Sequence, residues 1–268
     1  MQRLGIISHL SILNDFASKT MTIAELEARK LHHDSTEILT RAVQPALWLL
    51  IFGEVLAQVR AIPTGNLPYI DFMAPGILAQ SVLFIAIFYG IAIIWERDLG
   101  IIHKFLATPT PRSALVLGKA LSAGERGLAQ AAIVYVLAFA LGVNLSWNPI
   151  SLLLVVVVVI LGASLFSTFS LIIACLVKTR ERFMGIGQIL TMPLFFASNA
   201  IYPISIMPKW LQLVSQINPL TYETDALRAL MLTNGPSTYG LTFDLLILIA
   251  ATALNVAIAG KLYPRVVI

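Results

Sequence analysis

Long apolar segments separated by short polar ones run through most of the chain. Phe72 to Trp95, a stretch of 24 residues, has no ionisable side chain, and Gly127 to Val177, a stretch of 51, has none either. A helix of about 20 apolar residues crosses a hydrocarbon core about 30 Å thick. The pattern predicts an all-α integral membrane protein with six transmembrane helices, at about residues 42–59, 72–94, 115–141, 150–177, 183–199 and 239–260.

The polar N-terminal segment, residues 1–41, is predicted to be a tail ahead of the transmembrane domain, residues 42–268. Residues 22–33 favour a helix, with Thr22 as a possible N-cap and Glu25 at the capping-box position. Apolar residues recur in it at nearly helical spacing, which predicts an amphipathic helix at the membrane interface. An ordinary solvated helix is the alternative.

The segment from Ala200 to Pro236 differs from the other connections. It is too long for a tight turn and too polar for a span, and it contains Pro203, Pro208 and Pro219. Irregular backbone within a membrane must be buried in protein or border water. We therefore expect re-entrant or interfacial half-helices on the outer side, between the fifth and sixth spans.

Composition supports the membrane class. Hydrophobic residues make up 58% and charged residues 12% of the chain, and the mean hydropathy is +0.85, whereas soluble domains carry about 25% charged residues. The single cysteine, Cys175, excludes an intramolecular disulfide. A net charge of +4 is too small and too scattered to indicate a nucleic-acid partner.

The cations predict the orientation. Of the 18 Lys and Arg residues, fourteen lie in segments that are cytoplasmic if the N terminus is inside, and three, Arg60, Lys209 and Arg228, lie outside. Cytoplasmic loops carry the excess of cations. Both termini are therefore predicted to face the cytoplasm, in a multi-pass protein of the cell (inner) membrane.

Residues 96–119 form a polar island between long apolar stretches. Six ionisable side chains fall within its first 17 residues, and Pro109 and Pro111 follow or interrupt them. We interpret the island as a cytoplasmic loop, between the second and third spans, that carries a short helix.

Five short strings of sequence resemble one known family. Residues 96–100 read ERDLG, residues 106–109 read LATP and residues 118–119 read GK, while residues 218–222 read NPLTY and residues 225–228 read DALR. In this order, on a six-span pattern, the chain resembles the ABC-2 type permeases, which are membrane subunits of ATP-driven exporters.

The resemblance implies a coupling helix in the island, which sits against a separate ATP-binding subunit. Ile101, Ile102, Phe105 and Leu106 would form its apolar face, while Arg97, His103 and Lys104 could pair with acidic groups. The implied coupling residues are Glu96, Arg97, Gly100, Ile101, His103, Lys104, Phe105, Leu106, Thr108 and Pro109.

The resemblance also implies partners and a path. Two copies of the ATP-binding subunit, with ATP and Mg²⁺ in those subunits, would drive a pair of permeases, expected to be a homodimer in membrane lipid. The cargo would be a hydrophobic drug, a lipid or a glycan-type substrate. The positions that would border the path or the dimer contact are Gln44, Glu54, Gln58, Gly185 and Gly187.

The chain itself carries no sequence motif for catalysis or a metal. No G-x-x-x-x-G-K-[ST] phosphate loop occurs, and the four histidines and one cysteine show no metal-ligand spacing. We therefore expect a transport subunit that is not an enzyme, with no cofactor or metal of its own.

Three alternatives stay open at this point. The first is an ion-gradient-driven secondary carrier or channel, for which Glu54 is an intramembrane ionisable candidate, although a paired structural role suits it as well. The second is a membrane anchor or assembly factor without a substrate path. The third is an intramembrane enzyme, which lacks a visible catalytic set.

Overall fold

The computed structural model describes residues 16–25, 35–60, 62–65, 67–107 and 110–264. Across these residues the chain is helical, and an isolated bridge between Leu145 and Leu232 is their only β-type pairing. The helices are α1 (residues 16–25), α2 (Ser35–Leu47), a π-helical segment (Trp48–Gly53), α3 (Glu54–Val59), α4 (Tyr69–Asp98), α5 (Ile101–Leu106), α6 (Arg112–Ala140), α7 (Pro149–Leu176), α8 (Arg180–Phe196), a 3₁₀ turn (Ile204–Ile206), α9 (Lys209–Ile217), α10 (Pro219–Met231) and α11 (Leu241–Leu262).

The predicted all-α class is confirmed. Within the described part of the chain, four segments are long and apolar enough to cross a membrane: Ala42–Val59, Tyr69–Asp98, Pro149–Leu176 and Leu241–Leu262. The two other predicted spans fall on α6 and α8. Helix α6 carries charged side chains along its length, and α8 has only 17 residues and begins in a charged turn. The number of six spans therefore stays a prediction.

The first apolar segment is one continuous helical stretch with a change in its middle. Helix α2 contains Pro45, the π-helical segment follows, and α3 continues to Val59. A proline inside a helix removes one backbone hydrogen bond, and π-helical turns occur where the regular ladder is interrupted. The stretch leaves an apolar face exposed, which includes Leu47, Ile51 and Val55.

Helix α4 runs through the middle of the bundle. In its most apolar 18-residue window 78% of the residues are buried, compared with 17% in α11. Small residues let its neighbours approach: Gly76 lies against the backbone of Ala200, and Gly90 lies against Ser170 and Phe183. Such close contacts supply the packing attraction that holds helices together in lipid. Helices α6, α7, α8 and α10 all pack on α4.

Buried apolar side chains form two clusters. The larger one fills the middle of the bundle. The smaller one lies where α4 leads into α5 and joins Ile94, Ile102, Val116, Phe183 and Tyr263 from five different parts of the chain. We call the end of the bundle that contains this smaller cluster the loop end, and the opposite end, which contains the Leu145–Leu232 bridge, the turn end.

Between α8 and α11 the chain forms two short helices, as the sequence predicts. Asn218 separates them: its side chain accepts a hydrogen bond from the Leu220 N–H (3.0 Å) and donates one to the Leu194 carbonyl (2.7 Å). Pro219 takes the first position of α10, where its missing N–H has no cost. The location of α9 and α10 relative to a membrane stays a prediction.

The prediction that Arg228 is a cation of an outer loop is wrong, because Arg228 is buried in α10. Its guanidinium donates to the carbonyls of Asn199 (2.7 Å) and Phe72 (3.3 Å) and lies 3.9 Å from the centroid of the Phe72 ring. Buried cations need partners of this kind. Arg228 therefore fastens α10 to the start of α4.

We predict that Gly76→Ala lowers the free energy of unfolding by about 1–3 kcal/mol, the range for an added methyl group in a packed core. A Cβ at Gly76 would overlap the backbone of Ala200, which cannot turn aside as a side chain can. Thermal unfolding of the purified protein in detergent measures the change. Gly185→Ala is the matched control, because no neighbouring atom lies where its Cβ would stand. Equal unfolding temperatures for the two variants would contradict the prediction.

Candidate functional site: the loop between α4 and α6

A buried ion pair connects the two helices that flank the predicted coupling loop. The Lys119 ammonium lies 2.6 Å from a carboxylate oxygen of Glu96, and the two side chains are only 4% and 7% exposed. Charged groups are rarely buried unless they are paired. The pair therefore holds the last turn of α4 against the first half of α6, on either side of α5.

The next residue of α4, Arg97, reaches the end of α7. Its guanidinium donates to the carbonyls of Lys178 (2.7 Å) and Val177 (3.3 Å), and it also bonds to Asp98 (3.1 Å). The last carbonyls of a helix have no partner within the helix. Arg97 supplies one from another element, so it joins α4 to the α7–α8 connection.

Asp98 links α4 to α8. Its carboxylate lies 2.7 Å from the Arg180 guanidinium, in the first turn of α8. That guanidinium also covers the Trp95 ring, 3.4 Å from the ring centroid. Arginine combines ion pairing with stacking on aromatic rings because its guanidinium is planar. We call these three side chains, Trp95, Asp98 and Arg180, the α4–α8 contact.

Helix α5 is fixed to the bundle by one side. Gly100 turns the chain between α4 and α5 with φ of +70°, a conformation that favours glycine. Ile102 is fully buried in the loop-end cluster, Ile101 is half-buried and Lys104 is exposed. The expectation that Ile102 belongs to an outward apolar face is wrong, because its side chain anchors α5 instead.

Part of the predicted coupling site cannot be placed. Thr108 and Pro109, and the side chains of His103, Phe105 and Leu106, lie outside the described residues. The structure does show that Glu96, Arg97 and Gly100 stand at the base of α5, where they set its position. Their role toward a partner stays a prediction.

Helix α1 lies on α6 beside the buried ion pair. A Cβ at Gly118 would overlap Ile23 and the carbonyl of Thr20, so α1 approaches α6 where α6 has no side chain. The helix already begins at residue 16 in the structure, and the Thr22 hydroxyl donates to the Ser18 carbonyl (2.9 Å). The expectation that Thr22 is an N-cap is therefore wrong. Residues 26–34 of the predicted amphipathic helix lie outside the described residues.

Of the five predicted path or dimer positions, the structure places one at a cavity. Gln44 lines a cavity of about 460 Å³ between α2, α4, α6 and α8, whose other lining residues are Thr40, Pro45, Ser81, Phe84, Ile85, Phe88, Ile91, Gln130 and Met184. Gln58 is exposed and Glu54 half-buried, both in α3 away from this cavity. Gly187 faces α4, whereas Gly185 faces open space.

The buried polar groups of α10 and α11 are absent from the sequence-based site. Glu223 and Asp244 are fully enclosed, and Asp225 accepts hydrogen bonds from the Ser237 hydroxyl (2.9 Å) and the backbone N–H groups of Thr238 (2.7 Å) and Tyr239 (3.1 Å). Asn218 and Pro219 mark the start of α10 in the sequence. Nothing in the sequence marks which of its polar faces is enclosed, since the burial comes from α4, α7 and α11.

Comparisons with known proteins agree with this architecture. The family model for "ABC-2 type transporter" matches residues 19–232. A protein of Cyanophora paradoxa named as a transport permease, ycf38, is 30% identical over 200 residues, which cover 72% of this chain and 67% of that protein. A daunorubicin resistance ABC transporter permease protein, DrrB1, of Streptomyces coeruleorubidus is 24% identical over 215 residues, or 80% and 75% of the two chains. Nodulation protein J of Rhizobium leguminosarum bv. trifolii is 26% identical over 197 residues, or 73% and 74%.

We predict that Lys119→Met lowers the free energy of unfolding by about 3–5 kcal/mol, the range for breaking a buried ion pair. The Glu96 carboxylate stays buried and loses its lysine. The double variant Glu96→Gln, Lys119→Met should recover most of the loss, because both charges are then absent. Thermal unfolding in detergent measures each variant, with Lys178→Met, at an exposed position, as the control. A double variant no more stable than Lys119→Met would contradict the prediction.

Proposed function

Since the chain belongs to the ABC-2 type transporter family, we propose that it is the membrane subunit of an ATP-driven exporter whose ATP-binding subunit is a separate chain. Two copies of that subunit, which bind ATP and Mg²⁺, would act on a pair of these permeases, with both termini of each permease in the cytoplasm and six spans in the membrane. The permease binds and guides the cargo, and the ATP chemistry belongs to the partner.

The observation that carries this proposal is the way α5 is mounted. Glu96, Arg97 and Asp98 join its base to α6, to the end of α7 and to the start of α8, and Ile102 fixes α5 itself to the loop-end cluster. A helix mounted in this way cannot move without moving the helices to which it is joined. Rigid-body movement of packed helices is how a local contact produces a change elsewhere in a protein.

The mechanism follows from this mounting. When ATP binding brings the two ATP-binding subunits together, the surface that holds α5 moves, and the force passes through the bases of α4 and α6. The cavity beside Gln44 lies between helices that such a movement displaces, α2, α4, α6 and α8. A change in their spacing would expose the cavity first to one side of the membrane and then to the other.

The lining of the cavity supports a hydrophobic, uncharged ligand group. Phe84, Phe88 and Met184 supply apolar surface, whereas Gln44 and Ser81 supply neutral hydrogen-bonding groups. Among the described residues that line it, none carries an ionisable side chain. Small-molecule sites commonly combine apolar walls with a few polar groups. We therefore propose a drug-like or lipid cargo, or the lipid part of a glycolipid.

One observation favours a second candidate, an ion-gradient-driven carrier. Glu223 is fully enclosed, and both of its carboxylate oxygens lack a hydrogen-bond partner among the described residues. Buried carboxyl groups in membrane helices are typical of proton relays. Transport that continues without an ATP-binding subunit and follows an ion gradient would favour this candidate over the exporter.

We predict that Phe105→Asp abolishes ATP-dependent transport while the protein still inserts in the membrane. A carboxylate on α5 would need to be desolvated against an apolar surface of the partner, which costs several kcal/mol. The tagged permease is purified from its native cell in mild detergent, and co-purifying ATPase activity is measured for the wild type and the variant.

The control is Pro63→Asp, which adds the same charge at an exposed position in the α3–α4 loop. It should leave the complex intact. If the wild type captures an ATP-binding subunit and Phe105→Asp captures and couples it equally well, α5 is not the coupling helix. If the wild type captures none and shows no ATPase activity, the exporter proposal itself fails.

We predict that Gln44→Leu weakens the apparent affinity for the cargo about tenfold, the equivalent of one hydrogen bond of about 1.4 kcal/mol. Gln58→Leu, the same change outside the cavity, should have no such effect. A panel of fluorescent drugs and labelled lipids identifies a molecule that the wild type exports, and KM is then measured with it in membrane vesicles. Equal KM values for both variants would remove Gln44 from the path.

A further inference from the structure

Helix α8 is fastened to the bundle along one narrow stripe. Its buried residues are Phe183, Gly187, Thr191 and Phe195, at every fourth position. Four residues correspond to about one turn of a helix, so these side chains lie on one face. The rest of α8 is largely exposed, including Ile189 at 72%. Although α8 contributes to the loop-end cluster through Phe183, it is much less enclosed than α4.

The stripe of α8 packs mainly on α4 and is apolar over most of its length. Phe183 lies beside Gly90, and Gly187 lies beside Ile87 and Phe88. Contacts of this kind depend on shape and have no fixed hydrogen-bonding partner, so a helix can shift along them at small cost. Small sliding movements of packed helices are a common form of conformational change.

The polar contacts that α8 makes with other elements lie at its two ends. At the turn end, the Leu194 carbonyl accepts from Asn218 (2.7 Å) and the Phe196 carbonyl accepts from Tyr202 (2.5 Å). At the loop end, Arg180 bonds to Asp98 (2.7 Å) and covers Trp95. The α4–α8 contact therefore supplies the directional fastening of the loop end of α8.

The α4–α8 contact also lies beside the moving part that the proposed function requires. Asp98 is the last residue of α4, and α5 begins three residues later. Arg180 is the first residue of α8, and Met184, one turn further on, lines the cavity beside Gln44. The contact therefore joins the base of α5 to a wall of the cavity over a short distance along each helix.

We propose that Asp98 and Arg180 are positioning residues that transmit the displacement of α5 to α8, so that α8 shifts along α4 and changes the cavity at Met184. This inference rests on the proposed function, because it needs a partner that displaces α5. It assigns α8 as the helix that moves during transport, and it assigns the Asp98–Arg180 ion pair as the link that moves it.

The ion pair is suited to transmission and contributes little to folding. Its side chains are 37% and 33% exposed, and exposed ion pairs contribute little to stability. Its loss should therefore separate ATP hydrolysis from transport and leave the folded bundle intact. The buried pair of Glu96 and Lys119 differs in this respect, because it is enclosed.

The test uses the permease with its ATP-binding subunit in proteoliposomes. Asp98→Asn and Arg180→Gln are each compared with Glu181→Arg, a change of charge at the exposed neighbour in α8. Transport per ATP hydrolysed should fall about tenfold in the first two variants, a loss that corresponds to about 1.4 kcal/mol of coupling. It should be unchanged in Glu181→Arg. The charge swap Asp98→Arg, Arg180→Asp should recover part of the loss.

A second readout follows α8 directly. Cys175 is the single cysteine, so Cys175→Ser gives a background without thiols, in which Met184→Cys reports on the cavity wall. The rate of maleimide labelling at this cysteine should change when ATP and vanadate are added, and Asp98→Asn should abolish the change. Unaltered coupling together with an unaltered labelling response in both single variants would overturn this inference alone. A wild-type protein whose transport and labelling ignore the nucleotide would overturn the proposed function, and this inference with it.

Discussion

Three consecutive charged residues at the end of α4 organise the loop end of the bundle. Successive residues of a helix point about 100° apart. Glu96, Arg97 and Asp98 therefore point in three directions, and each meets a different element: α6, the end of α7, and the start of α8. A single turn of helix thus determines how three neighbours are arranged around the base of α5. Because α4 is the most enclosed helix, this turn has little freedom of its own.

Much of the fold can be predicted from the sequence because apolar segments of membrane length are a strong signal. Helices α4, α7 and α11 begin and end within a few residues of the predicted boundaries. The break between α9 and α10 is visible at Asn218 and Pro219, whose preferences are local. The start of α1 could not be predicted in the same way. Thr22 has the right spacing for an N-cap, but the helix continues through it from residue 16.

The candidate site divides in the same manner. The position of the loop and its short helix follow from the polar island. The burial of Ile102 does not, because it depends on the loop-end cluster, which is assembled from distant parts of the chain. The same reason applies to Glu223 and Arg228, which are enclosed by helices that precede them by more than 50 residues. Of the predicted path residues, only Gln44 lines the cavity, and its helical turn alone could not distinguish it from Gln58.

The two ion pairs of the loop end suit opposite requirements. A transporter must keep one set of helices fixed while another set moves, so that force produces displacement and not unfolding. Glu96 and Lys119 are enclosed, and separating them would leave charges buried, which favours a permanent connection between α4 and α6. Asp98 and Arg180 are partly exposed, so water can replace either partner when they separate. The difference in burial makes α4 and α6 a fixed frame and leaves α8 as the element that can be displaced against it.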